Sequence, residues 1–150
     1  MSFVARYPRF YGVVEALIDT GSPFTVLSTV DAIKFRLPIK SKKMQKGFGV
    51  SLAGFRFFKY NLGKASFTFK TANEDSICFK VQNLGVLVPT KINKKVLKDV
   101  EPIPSIVGND FLEEHNLALF FNPSKKITYL KQTVSANESK PQVMSIEQKR

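Results

Sequence analysis

The sequence is poor in residue types that commonly bind transition metals, with one cysteine and one histidine among 150 residues. A single thiol cannot form an internal disulfide, and Cys78 lies in the strand-like segment SICFKV, where we expect it to be half-buried. His115 has no second histidine and no cysteine near it in the sequence, so neither a metal site nor a Cys-His nucleophilic pair is indicated. We therefore expect no metal and no cofactor, and we expect His115 to lie on the surface of a short helix.

Long apolar runs are also absent. The longest span only a few residues, whereas a membrane-spanning helix needs about 20. The N-terminal segment MSFVARYPRFYG lacks the apolar region of a secretory signal. These absences predict a cytoplasmic protein without a membrane partner. The chain length fits one domain of roughly 100–200 residues, and an apolar fraction of 43% with fourteen phenylalanines can form one core.

Acidic residues are few, with 12 against 23 lysines and arginines, which leaves a net charge of +11. Such an excess can indicate nucleic acid or an acidic partner. The basic residues are spread over 40–46, 91–98, 124–126 and the C-terminal segment, with no zinc-finger spacing, RNA-binding aromatic motif or recognition helix. The glycines form no phosphate-binding loop. We interpret most of this charge as solvated surface, and nucleic-acid binding stays an open alternative.

Strand patterns dominate the chain. Several segments are rich in β-branched and aromatic residues, some alternate with period two, and turn residues separate them. These segments are 12–18, 24–28, 54–63, 65–70, 77–88 and 126–130. Helical patterns are short: 28–36 with a Ser or Thr cap, one turn within 90–99, and 108–116 capped by Asn109 or Asp110. The sequence predicts an all-β domain over residues 1–130 and a flexible polar tail over 131–150.

One carboxylate stands out in the segment VEALIDTGSPFTVLS. A predicted strand, 16–18, which we expect to be buried, leads directly into Asp19. A carboxylate at the edge of a core must be paired or hydrogen-bonded. The hydroxyls of Thr20 and Ser22, and the close backbone approach that Gly21 allows, can supply those bonds. Two interpretations stay open: a rigidly held functional carboxylate, or an ordinary Asx-type turn between two strands.

A second segment, 103–130, bears on this choice. Ile106 and Val107 precede Gly108, and a short amphipathic helix, an apolar strand, an Asn-Pro turn and a final strand follow. Together, ALIDTGSPFTVLS and SIVGNDFL resemble the two motifs of the retropepsin-like aspartic proteases, the family of the retroviral proteases. The motifs occur in the family's order, and the resemblance covers residues 8–130. It implies a closed β-barrel with one short helix in the C-terminal half.

The resemblance also implies a flap, a β-hairpin that covers the cleft in this family. The segment KGFGVSLAGFRFF, 46–58, lies between the two motifs and carries glycines at 47, 49 and 54. We expect Phe48, Gly49 and Val50 to contact substrate, with Leu52 as a further candidate. An ordinary glycine-rich hairpin is the alternative interpretation.

Members of this family hydrolyse peptide bonds with two carboxylates that share one proton, through a water that the pair activates. This chain contains one Asp-Thr-Gly and no second Asp-Thr-Gly or Asp-Ser-Gly, so the resemblance implies a C2 homodimer in which two copies of Asp19 meet. Thr20 would then bond across the axis, Gly21 would form the tight turn, and Ser22 would flank the site. The remaining assignments are Ile106 and Val107 as substrate-binding residues, and Gly108, Asn109 and Asp110 as a structural motif.

Two departures favour the cellular members of the family, such as the protease domains of DNA-damage-inducible ubiquitin-shuttle proteins. Pro23 stands where retroviral members usually carry an acid that binds the substrate backbone, and Asn109 stands where they usually carry an arginine. We expect Asp31 to be solvated and to have no catalytic role. The leading hypothesis is an aspartic endopeptidase acting on peptides or proteins. The alternative is a non-catalytic peptide-binding and dimerisation module of the same fold.

Overall fold

The computed structural model describes residues 2–6, 9–37, 45–71, 73–133 and 143–146. Within these ranges the chain is mainly β, with three short helices, which confirms the predicted all-β class. The strands are β1 (Ser2–Arg6), β2 (Arg9–Val13), β3 (Ala16–Ile18), β4 (Val26–Leu27), β5 (Gln45–Leu52), β6 (Phe55–Lys70), β7 (Ser76–Pro89), β8 (Ser105–Val107), β9 (Leu117–Asn122), β10 (Ile127–Gln132) and β11 (Val143–Ile146). The helices are α1 (Thr29–Lys34), α2 (Lys94–Asp99) and α3 (Asn109–Glu114).

Most strands belong to one large sheet that curls into a half-barrel. Its order is β2-β1-β6-β7-β4-β8-β3, and β5 pairs with β6 outside this path. The centre is the antiparallel pair of long strands β6 and β7, whose register shifts around Gly63. Such irregularities bend a strand and increase its twist, which helps a sheet to curl. A second sheet has the order β11-β10-β9.

The pairing that positions the candidate site joins β3 and β8, which lie far apart in the sequence. The two strands run parallel, with Ile18 opposite Val107. Parallel strands run in the same direction, so their carboxyl ends meet at one edge of the sheet. The residues that follow them, Asp19 and Gly108, therefore emerge side by side. β4 lies next to β8 and connects it to β7.

Two apolar clusters support this edge. The larger one contains a group of phenylalanines whose neighbouring ring centroids lie 5.6–6.5 Å apart, as edge-to-face and tilted pairs do. Its aromatic members in contact are Phe67, Phe69, Phe79 and Phe111. The smaller cluster lies where α2, β8 and the β5–β6 hairpin meet, and Phe24, Leu52 and Phe55 pack against it. Its buried residues are Val26, Phe57, Leu87, Val100, Ile103 and Ile106.

Several predicted strand bounds need correction. The predicted strands 54–63 and 65–70 are one strand, β6, whereas the predicted strand 12–18 is divided between β2 and β3. β1 was not predicted. The last two residues of β10 and all of β11 lie within the predicted tail, 131–150, so part of that segment is paired in a sheet. Residues 134–142 and 147–150 of that segment lie outside the described residues.

Some of the helix predictions are confirmed and others are wrong. Ser28 caps α1 as predicted, because its Oγ accepts a hydrogen bond from Asp31 N–H at 3.1 Å. The predicted turn within 90–99 is α2, so the described part of the C-terminal half has two helices, where the resemblance implied one. The predicted cap of α3 is wrong, since Gly108 holds the N-cap position without a side-chain bond. None of the helices in the described ranges has the length and apolar character needed to cross a membrane.

Candidate active site

Asp19 is half-buried on a turn that its own backbone and side chain organise. Its N–H donates to Val107 O at 3.1 Å, and its carbonyl accepts a bond from Ser22 N–H at 3.1 Å. The N–H of Gly21 donates to Asp19 Oδ1 at 2.9 Å, which is the predicted Asx-type bond. One carboxylate oxygen is thus oriented by the turn, while the side of the turn formed by Thr20 and Gly21 is exposed.

The second motif is in direct backbone contact with this turn. Asn109 N–H donates to Ser22 O at 2.7 Å. Gly108 lies so close to the turn that an added Cβ would stand 2.4 Å from Phe24 O and 2.8 Å from Ser22 O. Real Cβ atoms essentially never approach backbone atoms this closely, so any larger residue at this position would separate the two motifs. The requirement for glycine at position 108 therefore has a tertiary cause.

Thr25, which the sequence analysis did not single out, connects the same two segments. Its N–H and its hydroxyl donate to the two oxygens of the Asp110 carboxylate at 3.0 and 2.6 Å. Its Oγ1 in turn accepts a bond from Gly108 N–H at 3.0 Å. The Asp110 carboxylate thus holds Thr25, and its Oδ1 also accepts a bond from Phe111 N–H at 2.8 Å in the first turn of α3.

Asp31 forms a second polar connection, and the prediction that it is solvated is wrong. It is half-buried, and its Oδ2 accepts bonds from Ser105 Oγ at 2.5 Å and from Ser28 Oγ at 3.2 Å. Ser105 Oγ also accepts a bond from Ser28 N–H at 2.9 Å. The start of α1 is thereby fastened to the start of β8. A carboxylate three residues after a capping serine is a recognisable capping pattern, but its partner on β8 has no signal in the sequence.

The predicted flap corresponds to a β-hairpin made of β5 and the first part of β6. Its tip is the two-residue turn Ala53–Gly54, in which both residues have positive φ, as a type I′ turn requires. Val50 is half-buried opposite Phe57, and Gly49 is exposed. Phe48 is 49% exposed, and its ring centroid lies 4.9 Å from that of Phe24 on the segment that follows Asp19. The hairpin therefore reaches the segment that carries Asp19.

The predicted substrate contacts of Ile106 and Val107 are not supported by their positions. They are 5% and 1% exposed, because β8 is flanked by β3 and β4 and its side chains enter the two apolar clusters. The prediction that residues 16–18 are all buried also fails, since Leu17 is 44% exposed. Alternation along β3 explains this, because Ala16 and Ile18 face the core and Leu17 faces the opposite side. Leu17 is thus an apolar surface residue two positions before Asp19.

His115 is not the surface residue that the sequence predicts. It ends α3, and its ring packs against Phe111 and Phe79 at centroid distances of 4.7 and 4.9 Å. Within the described part of the chain, its buried Nε2 has no hydrogen-bond partner. The predicted half-buried position of Cys78 is also wrong, because this thiol is exposed. Among the described residues, no group of three or more histidine, cysteine, aspartate or glutamate side chains could hold a metal ion.

The sequence matches no model of a known protein family and none of the curated proteins with which it was compared. The assignment of function therefore depends on the residues and contacts described above.

Proposed function

We propose that the protein is an aspartic endopeptidase that acts as a C2 homodimer, with one Asp19 from each protomer forming the catalytic pair. The observation that carries the proposal is the contact of the two motifs at one sheet edge. Asp19 follows β3, Gly108 follows the parallel strand β8, and hydrogen bonds from Gly21 and Asn109 hold the turn between them. Rigid placement of a carboxylate is what general acid–base catalysis requires.

In the proposed reaction, one Asp19 carboxylate accepts a proton from a water, and the water oxygen attacks the carbonyl carbon of the peptide bond. The protonated Asp19 of the other protomer donates to the carbonyl oxygen. When the C–N bond breaks, the nitrogen takes the proton that the first Asp19 accepted from water and leaves as an amine. The other fragment returns one hydroxyl proton to the second Asp19 and leaves as a carboxylic acid. The chain carries one Asp-Thr-Gly, so the second carboxylate of the pair is assigned to a second copy.

The surroundings of Asp19 also suit an extended peptide. Leu17 and Phe48 expose apolar surface near the turn, and the β5–β6 hairpin reaches the turn through Phe24. These features support the flap and the retropepsin-like barrel as parts of the same proposal. They also favour substrates with apolar or aromatic side chains beside the scissile bond.

The decisive measurement is cleavage of a broad library of quenched fluorescent peptides by the wild type and by Asp19→Asn. Asn keeps the size of the side chain but cannot accept the proton, so we expect kcat/KM to fall by at least about a hundredfold. Asp75→Asn makes the same chemical change at an exposed position and serves as the matched control. Both variants should keep the far-UV circular dichroism of the wild type. Undiminished cleavage by Asp19→Asn would refute the catalytic assignment.

The dimer is tested by mixing the wild type with Asp19→Asn. If each active site needs two copies of Asp19, an equimolar mixture that has exchanged subunits should retain about a quarter of the activity of the same total amount of wild type. A monomeric enzyme would retain half. Sedimentation velocity over a range of concentrations gives the oligomeric state independently. Specific binding of library peptides without any cleavage would favour the peptide-binding module instead.

A further inference from the structure

Lys59 places a positive charge between the hairpin and the segment that carries Asp19. Its Nζ lies 4.6 Å from the ring centroid of Phe24 and 5.6 Å from that of Phe48. The two rings lie 4.9 Å apart at an interplanar angle of 57°. Both distances are within the range of cation–π attraction, so the rings hold the ammonium group at this position.

The backbone of the hairpin explains why these three side chains meet. In the β5–β6 ladder, Lys46 pairs with Tyr60 and Gly49 pairs with Phe58, so Gly47 and Phe48 together lie opposite Lys59 alone. Such a β-bulge re-aims the side chain it carries. Here the bulge brings Phe48 and Lys59 together on the segment that follows the catalytic motif.

The methylene stem of Lys59 crosses the neighbouring strand, β7. A Cβ added to Gly85 of β7 would lie 2.6 Å from Lys59 Cε and 2.8 Å from Val26 Cγ1. The stem of Lys59 therefore lies in the space that a side chain at position 85 would fill. Its half-buried stem and its two aromatic neighbours give the ammonium group a defined position.

Phe24, which contacts the Lys59 ammonium group, is also close in the sequence to Asp19, the proposed catalytic residue. Phe24 N–H donates to Ser22 Oγ at 3.4 Å, and Ser22 Oγ donates to Phe24 O at 3.0 Å. Ser22 N–H in turn donates to Asp19 O at 3.1 Å. An extended peptide that binds at Asp19 and continues beneath the hairpin passes Phe24 and Lys59 within a few residues of the scissile bond.

No carboxylate of the described residues forms an ion pair with Lys59. The ammonium group has three N–H donors. The aromatic rings do not accept hydrogen bonds from them as a carboxylate would. The α2 segment lies nearby, because Val96 of α2 and Val100, which follows it, share with Phe24 the smaller apolar cluster. That segment, 90–101, carries four lysines and two acids, all of them exposed: Lys91, Lys94, Lys95, Lys98, Asp99 and Glu101.

We propose that Lys59 is a specificity-determining residue that binds the carboxylate of a glutamate or aspartate in the substrate peptide, near the scissile bond. The inference rests on the proposed function. Phe24 and Phe48 supply apolar surface for the methylene groups of that side chain, and Lys59 supplies the opposite charge. Charge complementarity of this kind chiefly sets specificity.

The test compares peptide pairs that differ only by Glu or Gln at one position on either side of a mapped cleavage site. The wild type should prefer Glu at one position by about fivefold in kcat/KM, as expected for a partly exposed ion pair. Lys59→Met keeps the stem and should bring the ratio to about one. Lys59→Arg should keep the preference, and Lys59→Glu should shift it towards a Lys-containing peptide. Lys70→Met, at the far end of the same strand, is the control that should leave the ratio unchanged.

A Glu preference that survives in Lys59→Met, or no Glu preference in the wild type, would overturn the inference while leaving the proposed peptidase intact. If no peptide is cleaved, the proposed function fails, and Glu/Gln pairs based on a library peptide that the protein binds are then measured by fluorescence anisotropy. Tighter binding of the Glu peptide that weakens with salt and is lost in Lys59→Met would still support the role of Lys59. Equal binding of both peptides would overturn it.

Discussion

Thr25 and Asp110 lie 85 positions apart in the sequence and share two hydrogen bonds. The threonine donates through both its N–H and its hydroxyl, so the two oxygens of the carboxylate hold one residue in one orientation. Because Thr25 Oγ1 also accepts from Gly108 N–H, three groups from both motifs form one connected network. Residues outside the turn therefore help to position the turn that carries Asp19.

Replacing Thr25 by Val tests this network with little change in shape. Thr25 is 1% exposed, and its replacement removes the acceptor for the buried Gly108 N–H. An unsatisfied buried donor costs about 1–3 kcal/mol, so the free energy of unfolding measured with urea should fall by that amount. Thr25→Ser keeps the hydroxyl and should retain more stability than Val. Equal stability of Val and wild type would show that the network contributes nothing.

Gly108→Ala tests the close contact between the motifs. The added Cβ meets backbone oxygens of Phe24 and Ser22, which cannot move without displacing the turn. We expect a loss of about 1–3 kcal/mol in the free energy of unfolding, together with a loss of any peptidase activity. Gly49→Ala is the matched control, because its Cβ would have only an ordinary contact at 3.9 Å with Phe57 O. A Gly108→Ala protein as stable as Gly49→Ala, or as active as the wild type, would contradict the geometry.

Ser105→Ala tests the connection between α1 and β8. The substitution leaves the buried Ser28 N–H without its acceptor and removes the donor to Asp31. We expect a decrease of about 1–3 kcal/mol in stability by urea titration. Ser76→Ala, at an exposed position, should change stability by less than about 0.5 kcal/mol. If both variants unfold at the same urea concentration, Ser105 is not a structural connection.

His115→Phe tests the buried polar atom in the aromatic cluster. Since Nε2 has no partner within the described part of the chain, an apolar ring should be neutral or stabilising. A gain of about 1 kcal/mol would raise the midpoint of thermal unfolding by about 2–4 °C. His115→Gln keeps a polar group among Phe79 and Phe111 and should lower the midpoint instead. A marked loss of stability in His115→Phe would mean that the imidazole makes a bond that the structure does not contain.

Local patterns in the sequence were sufficient for much of the fold. The alternation in β6 and the cap at Ser28 are short-range features, and the structure contains both of them. Strand bounds were less well predicted. β6 continues through the predicted break at 64 because it pairs with β7 along nearly its whole length, despite the register shift there. Pairing with the neighbouring strand of the sheet can override a local break in the strand pattern.

The errors at the candidate site have a common origin. Leu17 was expected in the core and is exposed, whereas Asp31 and His115 were expected at the surface and are half-buried. In each case the residue type was weighed without knowing which element would lie beside it. Which side of β3 faces solvent depends on the sheet around it, and the serine that binds Asp31 lies on β8. His115 packs against Phe79 of β7 as well as against Phe111 of its own helix.

The sequence by itself determined the all-β class and the two motifs, because strand alternation, turn residues and the Asp-Thr-Gly triplet are local. Only the tertiary structure decided which groups meet. The parallel pairing of β3 with β8 places Asp19 beside Gly108, and a bulge in β5 brings Lys59 onto Phe24 and Phe48. Such contacts depend on strand register and backbone approach between distant segments, which hydrophobic periodicity does not encode.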